Sequence, residues 1–171
     1  GLYYEWYYGA NEAGNSFDPE FAAADAELDR MRLRIKNVNN LLNSPVADMA
    51  LSPTQYQASR FPEHMRDKIT VIHDGIDTDA VRPDASATLT LPDGTILTQQ
   101  DEVVSFLNRN LEPFRGYHRF MRALPRLLKE RPNARVVIVG ADGTSYGAAA
   151  PKGQTWKQIY IDEVRGQISD A

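Results

Sequence analysis

Two arginines, Arg109 and Arg115, stand six positions apart behind an apolar run and directly ahead of Gly116. The order of residues from Glu102 to Gly143 reads as strand, loop, helix, strand, with both arginines in the loop after the first strand. In an open parallel sheet that loop lies at the carboxyl end of a strand, where ligands bind. Two guanidinium groups beside a helix start make a site for a diphosphate, because both the cations and the first free N–H groups of the helix attract anionic oxygen. The loop Asn108–Gly116 holds one glycine, so it is neither a dinucleotide fingerprint nor a Walker A loop, and fixed cations replace close backbone approach. The plain alternative is that Arg109 and Arg115 pair with Glu112 and another surface carboxylate.

Other chemistries are excluded or unsupported by the residue inventory. The chain has no cysteine, which removes disulfides, thiolate catalysis and cysteine-ligated metals. His64, His73 and His118 show no metal-ligand spacing, so each is expected to be an ordinary surface or loop residue and no metal site is assigned. Between Arg109 and Arg135 there are eight basic and two acidic side chains, a net +6 against −10 for the rest of the chain. This local positive field suits an anionic ligand, although Arg119, Arg122, Arg126 and Lys129 read as the solvated face of a helix. The acidic remainder argues against nucleic acid as a partner.

The elements that must position these residues form a pattern of strands alternating with helices. Of the 171 residues, 42% are hydrophobic, enough for one domain or two small lobes, and no apolar run approaches a membrane span. Leu2–Tyr8 is aromatic and strand-like, followed by a loop rich in Gly and Asn. Asp18-Pro19 opens a helix whose Phe21, Leu28, Met31, Ile35, Val38 and Leu42 share one face expected to be buried, and Asn43-Ser44-Pro45 ends it. Val46–Leu51 is a strand; Ser52-Pro53-Thr54-Gln55 is a capping box with Pro at the first helical position, opening a helix that ends near Phe61. Lys68–His73 is a buried strand, and TLTL and TILT around Pro92-Asp93-Gly94 form an exposed hairpin. Val103–Leu107 is expected to be buried on both faces. Helix Tyr117–Glu130 sets Phe120, Met121, Leu124, Leu127 and Leu128 against the sheet, with Pro125 bending it or delaying its start. Val136–Val139 is the next strand, Gly140–Gly153 a loop of small residues, and Trp156, Ile159, Tyr160, Val164 and Ile168 mark a final helix. The fold class is therefore α/β, with Rossmann-like parallel βαβ units and a β-hairpin excursion.

The pair Arg109 and Arg115 followed by Gly116 resembles the motif of group 1 (family 4) glycosyltransferases of GT-B architecture: an Arg, six residues on a Lys, then Gly. Arg replaces Lys here, which keeps the charge and adds a bidentate donor. Lys68–Asp77, ending Asp74-Gly75-Ile76-Asp77, resembles the family's segment at the lobe boundary, and Ala134–Gly143 its second strand and glycine turn. Ser52–Pro62 resembles the last strand-to-helix step of the first lobe. The resemblance implies a partial GT-B fold: residues 1–75 as the end of the acceptor-side lobe, 76–101 as the interlobe connection with its hairpin, and 102–171 as the start of the donor-binding lobe. It implies retaining transfer of a hexosyl group from a nucleotide-diphosphate sugar, used as substrate with no further cofactor or metal, to a carbohydrate or lipid-linked acceptor. It also implies a bacterial, cytoplasmic setting, peripheral at the inner membrane face. Arg109, Arg115 and Gly116 would hold the donor diphosphate.

The family's glutamates, seven residues apart and downstream of the Arg/Lys pair, would lie beyond Ala171, so no catalytic residue is assigned and the chain is expected to be an internal, inactive piece of a longer enzyme. The competing reading is a non-catalytic Rossmann-like module for binding or self-association, since a truncated sheet exposes apolar faces and open edges.

Overall fold

The computed structural model describes residues 2–3, 18–21, 25–145 and 147–168. The chain divides into two compact units, Gly1–Arg82 and Pro83–Ala171, each a partial parallel α/β layer. The α/β class and the parallel pairing expected from alternating strands and helices are what the structure has.

The first unit is a three-stranded parallel sheet in the order β1 (Leu2–Tyr3), β2 (Met49–Ser52), β3 (Ile69–Val71). Leu2 sits opposite Met49, and Ala50 opposite both Tyr3 and Ile69. The rest of the aromatic run to Tyr8, and the loop after it, lie outside the described residues. Helices α1 (Ala26–Lys36) and α2 (Val38–Asn43) lead from β1 to β2; α3 (Gln55–Arg60) and α4 (Glu63–Arg66) lead from β2 to β3.

Several elements of this unit differ from what local sequence preference implies. Asp18 and Pro19 open only a 3-10 turn, Pro19–Phe21, and the long helix is capped instead by Asp25, whose carboxylate accepts the Leu28 N–H at 3.0 Å. It breaks at Asn37 into two helices. The stripe expected to be buried is exposed: Met31 at 58%, Ile35 at 68% and Leu42 at 67%, with Leu28 and Val38 also open and Phe21 only half-buried. Buried instead are Leu33, Asn37 and Asn40, which share the opposite face at the same helical spacing. Periodicity tells which residues share a face; the position of the sheet decides which face is covered.

The cap of α3 is shifted by two residues, because Thr54, not Ser52, accepts the Gln57 N–H and bonds the Gln57 side chain, leaving Pro53 ahead of the cap. An unexpected short helix, α4, follows Pro62. Strand β3 is only half-buried, with Ile72 already 55% exposed. Lys68, at the start of β3, donates from Nζ to the carbonyls of Ser44, Pro45 and Ala47 at 3.4, 3.3 and 3.0 Å. The turn after α2 is thereby tied to a residue more than twenty positions along.

The second unit opens with the expected hairpin, β4 (Leu89–Thr90) antiparallel to β5 (Ile96–Leu97). Asp93 holds its turn by accepting the Thr95 N–H at 2.8 Å and the Thr95 hydroxyl at 3.0 Å, bonds that keep its carboxyl below the usual carboxylate range. Next come β6 (Val103–Asn110), α5 (Tyr117–Glu130), β7 (Arg135–Ala141) and α6 (Trp156–Val164), with β6 and β7 parallel. Helix α5 begins at Tyr117 as its pattern predicts and runs through Pro125 without a delayed start. The last helix ends at Val164, and Ile168 lies beyond it.

Strand β6 is not buried on both faces. Its residues alternate, with Val104, Phe106 and Asn108 half-buried and Val103, Leu107 and Arg109 exposed. Phe106 stacks on Phe120 at 4.6 Å and lies 5.9 Å from Tyr117, so α5 covers that face. The core comprises Met121, Leu124, Ala134, Tyr160 and Val164 with Tyr117 and Leu111. A one-sided core makes a measurable prediction. Leu124→Ala should cost about 2–4 kcal/mol of unfolding free energy by chemical denaturation, whereas Leu107→Ala, at 64% exposure, should cost under about 1 kcal/mol.

Candidate functional site

The segment that follows β6 is a packed plug. Strand β6 extends to Asn110, so Arg109 belongs to the strand and not to the loop expected from sequence. Beyond it Leu111, Glu112 and Pro113 are buried. Leu111 continues the ladder by donating its N–H to the Ala141 carbonyl at 2.9 Å. Pro113–Arg115 is a 3-10 turn closed by the Arg115 N–H on the Glu112 carbonyl and the Gly116 N–H on the Pro113 carbonyl. Gly116 then takes a φ of 80°, the left-handed conformation that glycine adopts without steric cost. No heavy atom lies within 4 Å of where its Cβ would stand, so conformation and not crowding calls for glycine there. Helix α5 starts at once, with no side-chain cap and no acid in its first turn. The Tyr117 N–H donates to the Glu112 carbonyl at 3.3 Å, and the first turn carries the positive end of the helix.

Arg109 and Arg115 enter this region by different routes. Arg109 lies on the exposed face of β6. Arg115, with a quarter of its side chain exposed, sits on the 3-10 turn, and its carbonyl accepts a 3.5 Å hydrogen bond from Asn108 Nδ2, a side chain of the half-buried face. The carboxylate expected at the surface, Glu112, is fully buried. Both its oxygens accept the Ser145 N–H at 3.0 Å, and Arg115 Nε lies 3.4 Å from Oε1. This last separation is an ion-pair contact, longer than a charge-assisted hydrogen bond. Asn110 Nδ2 donates to Ser145 Oγ at 2.6 Å, a second tie to the turn after β7.

That turn comes in close because it lacks side chains. A Cβ on Gly140 would stand 2.7 Å from Leu111 Cδ2 and 2.8 Å from the Asn108 carbonyl oxygen; one on Gly143 would stand 2.9 Å from Asn110 Oδ1. The glycine turn therefore serves to seat itself against the arginine-bearing segment. Sequence marks Glu112 only as a surface partner for the arginines; the hint of its burial is its position between Leu111 and Pro113, an apolar setting for an acid, and nothing in the sequence marks Asn110 or Ser145.

Behind the plug lies an aromatic cluster. Tyr117 is fully buried, edge-on to Tyr160 at 6.0 Å, and its hydroxyl donates to the Lys157 carbonyl at 3.4 Å. Burial, with the charge of Asp142, pushes its phenol up to about 12. Trp156 stacks on Tyr160 at 5.9 Å, and the Arg122 guanidinium lies over the Tyr160 ring at 5.4 Å. His118 is a correction to the expected surface histidines. It is 3% exposed on α5, 5.9 Å from Tyr160, and its Nε2 accepts the Arg119 Nε–H at 3.2 Å. His64 and His73 are exposed as expected, and His73 Nδ1 accepts the Gly75 N–H at 3.0 Å. Arg119, Arg122, Arg126 and Lys129 are exposed, the solvated face read from sequence, and Arg122 and Arg126 pair with Glu163 and Glu130. Among the described residues no three acidic, histidine or cysteine side chains converge as a metal site would require, and no helix is long and apolar enough to cross a membrane.

Residues 1–81 match the profile of the Glycosyl transferase family 4 group. The resemblance to group 1 glycosyltransferases is borne out. Two glycosyltransferase relatives match as well, each called D-inositol 3-phosphate glycosyltransferase. The protein from Streptomyces avermitilis is 29% identical over 143 residues, covering 77% of this chain. The one from Streptomyces scabiei is 28% identical over 144 residues, again covering 77%. The chain spans 29% and 30% of the length of these relatives. The family profile falls within the first unit, but alignments covering 77% of the chain must run well into the second, which carries Arg109 and Arg115. No solved structure matches significantly.

Two outcomes follow from the site's geometry. Gly140→Ala should destabilise the second unit by about 1–3 kcal/mol in denaturant titration, since the added Cβ meets a backbone oxygen that cannot move aside. Tyr117, protonated in the folded state to about pH 12 but only to about pH 10 when unfolded, stabilises the fold below pH 10. That contribution is lost as pH rises through this window. Thermal midpoints measured across it should fall more steeply for wild type than for Tyr117→Phe.

Proposed function

We propose that this chain is part of a retaining glycosyltransferase in which Arg109, Arg115 and the Gly116–α5 start hold the diphosphate of a nucleotide-sugar donor. The first unit would be acceptor-side and the second donor-side. The observation that carries the reading is the carboxyl end of β6. Arg109, on the exposed face near the strand end, and Arg115, on the turn, precede in sequence a helix start that has neither a side-chain cap nor an acid in its first turn. Family and relatives support glycosyl transfer as the reaction class. In such a transfer the bond between the anomeric carbon and the diphosphate oxygen breaks, and negative charge grows on the leaving oxygen. Cations already in place lower that barrier, because they need not reorganise as the charge develops. The nucleotide sugar is a substrate, and the reading calls for neither cofactor nor metal. The acceptor is a hydroxyl of a carbohydrate or lipid-linked molecule; the relatives' names specify an inositol phosphate, a hydroxylated ring of the same chemical kind. The setting proposed is cytoplasmic, at the inner face of a bacterial membrane.

A second reading, self-association, is favoured by the exposed face of the β6–β7 sheet, where Val103, Leu107 and Val139 are 40%, 64% and 52% exposed. A monodisperse monomer in light scattering at high concentration would remove it.

Calorimetric titration of the full chain with UDP, GDP and ADP tests the donor reading. At least one should bind, and Arg109→Ala and Arg115→Ala should each weaken it by roughly ten- to a hundredfold, the value of a charged hydrogen bond. Equal affinity in wild type and the double variant would overturn it.

A further inference from the structure

Three observations concern the Glu112–Arg115 pair. Glu112 is fully buried, so its charge is screened by solvent less than a surface carboxylate's would be. The contact to Arg115 Nε, at 3.4 Å, is loose for a hydrogen bond yet well within Coulomb reach. The carboxylate also has a second, shorter engagement with the protein: both oxygens sit 3.0 Å from the Ser145 backbone N. Asn110 steadies the same residue through its hydroxyl.

From this arrangement we infer that Glu112 is a built-in competitor anion. It draws on the Arg115 guanidinium while the donor site is empty and yields it in part to a phosphate when nucleoside diphosphate binds. The inference rests on the donor-site reading given above. A carboxylate whose only partner was Arg115 could not let go, because a buried unpaired charge is strongly penalised. The Ser145 N–H removes that obstacle by remaining bonded to Glu112 throughout. The arginine is suited to exchange as well, since a guanidinium carries five donors and can turn from one anion toward another. The consequence is a tempered affinity: the same cations that stabilise a leaving diphosphate would otherwise hold it as product, and the internal carboxylate offsets part of that grip.

The sign of the test separates this role from simple positioning. If Glu112 only oriented Arg115, its loss would weaken binding. As a competitor, its neutralisation should tighten binding. In Glu112→Gln the shape is kept and the side-chain oxygen still accepts the Ser145 N–H, while the charge is gone. The probe is whichever of UDP, GDP and ADP the wild-type full chain binds most tightly in calorimetry. Glu112→Gln should tighten it roughly three- to tenfold, the scale of removing one nearby charge at a partly screened site. In an Arg115→Ala background the same change should alter affinity less than about twofold, because the contested cation is absent.

A second measurement uses wild type alone and does not depend on the variant folding. In NMR the Ser145 amide proton should move downfield on saturation with the probe, as the carboxylate it faces shares less of its charge with Arg115. Unchanged or weaker binding by folded Glu112→Gln overturns the inference. So does equal tightening in both backgrounds, and so does a Ser145 amide unmoved in the saturated complex. If Arg115→Ala weakens the probe while Glu112→Gln behaves in one of those ways, only this inference falls. If wild type binds none of the three probes, or Arg115→Ala binds as wild type does, the donor-site reading falls and this inference with it.

Discussion

A carboxylate with no exposed surface must be satisfied from within, and the second unit is arranged around that requirement. Glu112 takes the backbone N–H of Ser145 and the charge of Arg115, residues from two segments that are distant in sequence. The segments can meet only because Gly140 and Gly143 carry no side chain where the Leu111, Asn108 and Asn110 atoms stand. Remove the glycines and the turn after β7 cannot approach; remove the approach and Glu112 is a buried charge short of a donor. The packing of two loops and the electrostatics of one acid are thus a single constraint.

The same constraint makes the end of β6 rigid on one side and open on the other. Leu111, Glu112 and Pro113 fill the space beside the aromatic cluster of Tyr117 and Tyr160. Arg109, by strand alternation, lies on the exposed face. The arginines that looked like a matched pair in sequence therefore differ in kind: one is anchored to a buried acid, the other is carried on an exposed strand position. A ligand engaging both would meet one cation already drawn toward a buried carboxylate and one on an exposed strand position, whose ordering on binding costs side-chain entropy.

The parts of this fold legible in sequence were those where local preference and tertiary context agree. Helix α5 is an example: its apolar period, its leading glycine and the sheet beneath it give one answer, and even Pro125 does not shift its start. The hairpin around Pro92-Asp93-Gly94 is another, since Asp93 closes the turn through neighbours two residues away. Where a choice depended on distant elements, sequence was silent. Leu28, Met31 and Ile35 on one side of α1, and Leu33, Asn37 and Asn40 on the other, have equally helical spacing, and only the sheet selects between them. At the site, residue type marked Arg109, Arg115 and Gly116 through a family motif. Glu112 reads as one more loop acid because its partner, Ser145, is more than thirty positions away and contributes a backbone group that no residue letter displays.

Lys68 shows how little material can join remote parts of a small sheet. Its ammonium sits among three carbonyl oxygens at the end of α2, while its own carbonyl accepts the Ala50 N–H of β2 at 2.8 Å. One residue thus fastens a helix terminus, the approach to a middle strand and the start of the next strand. Fraying at any of these places must loosen the others, so slow-exchanging amides in residues 44–50 and 68–72 should be released together in a single cooperative opening rather than one at a time.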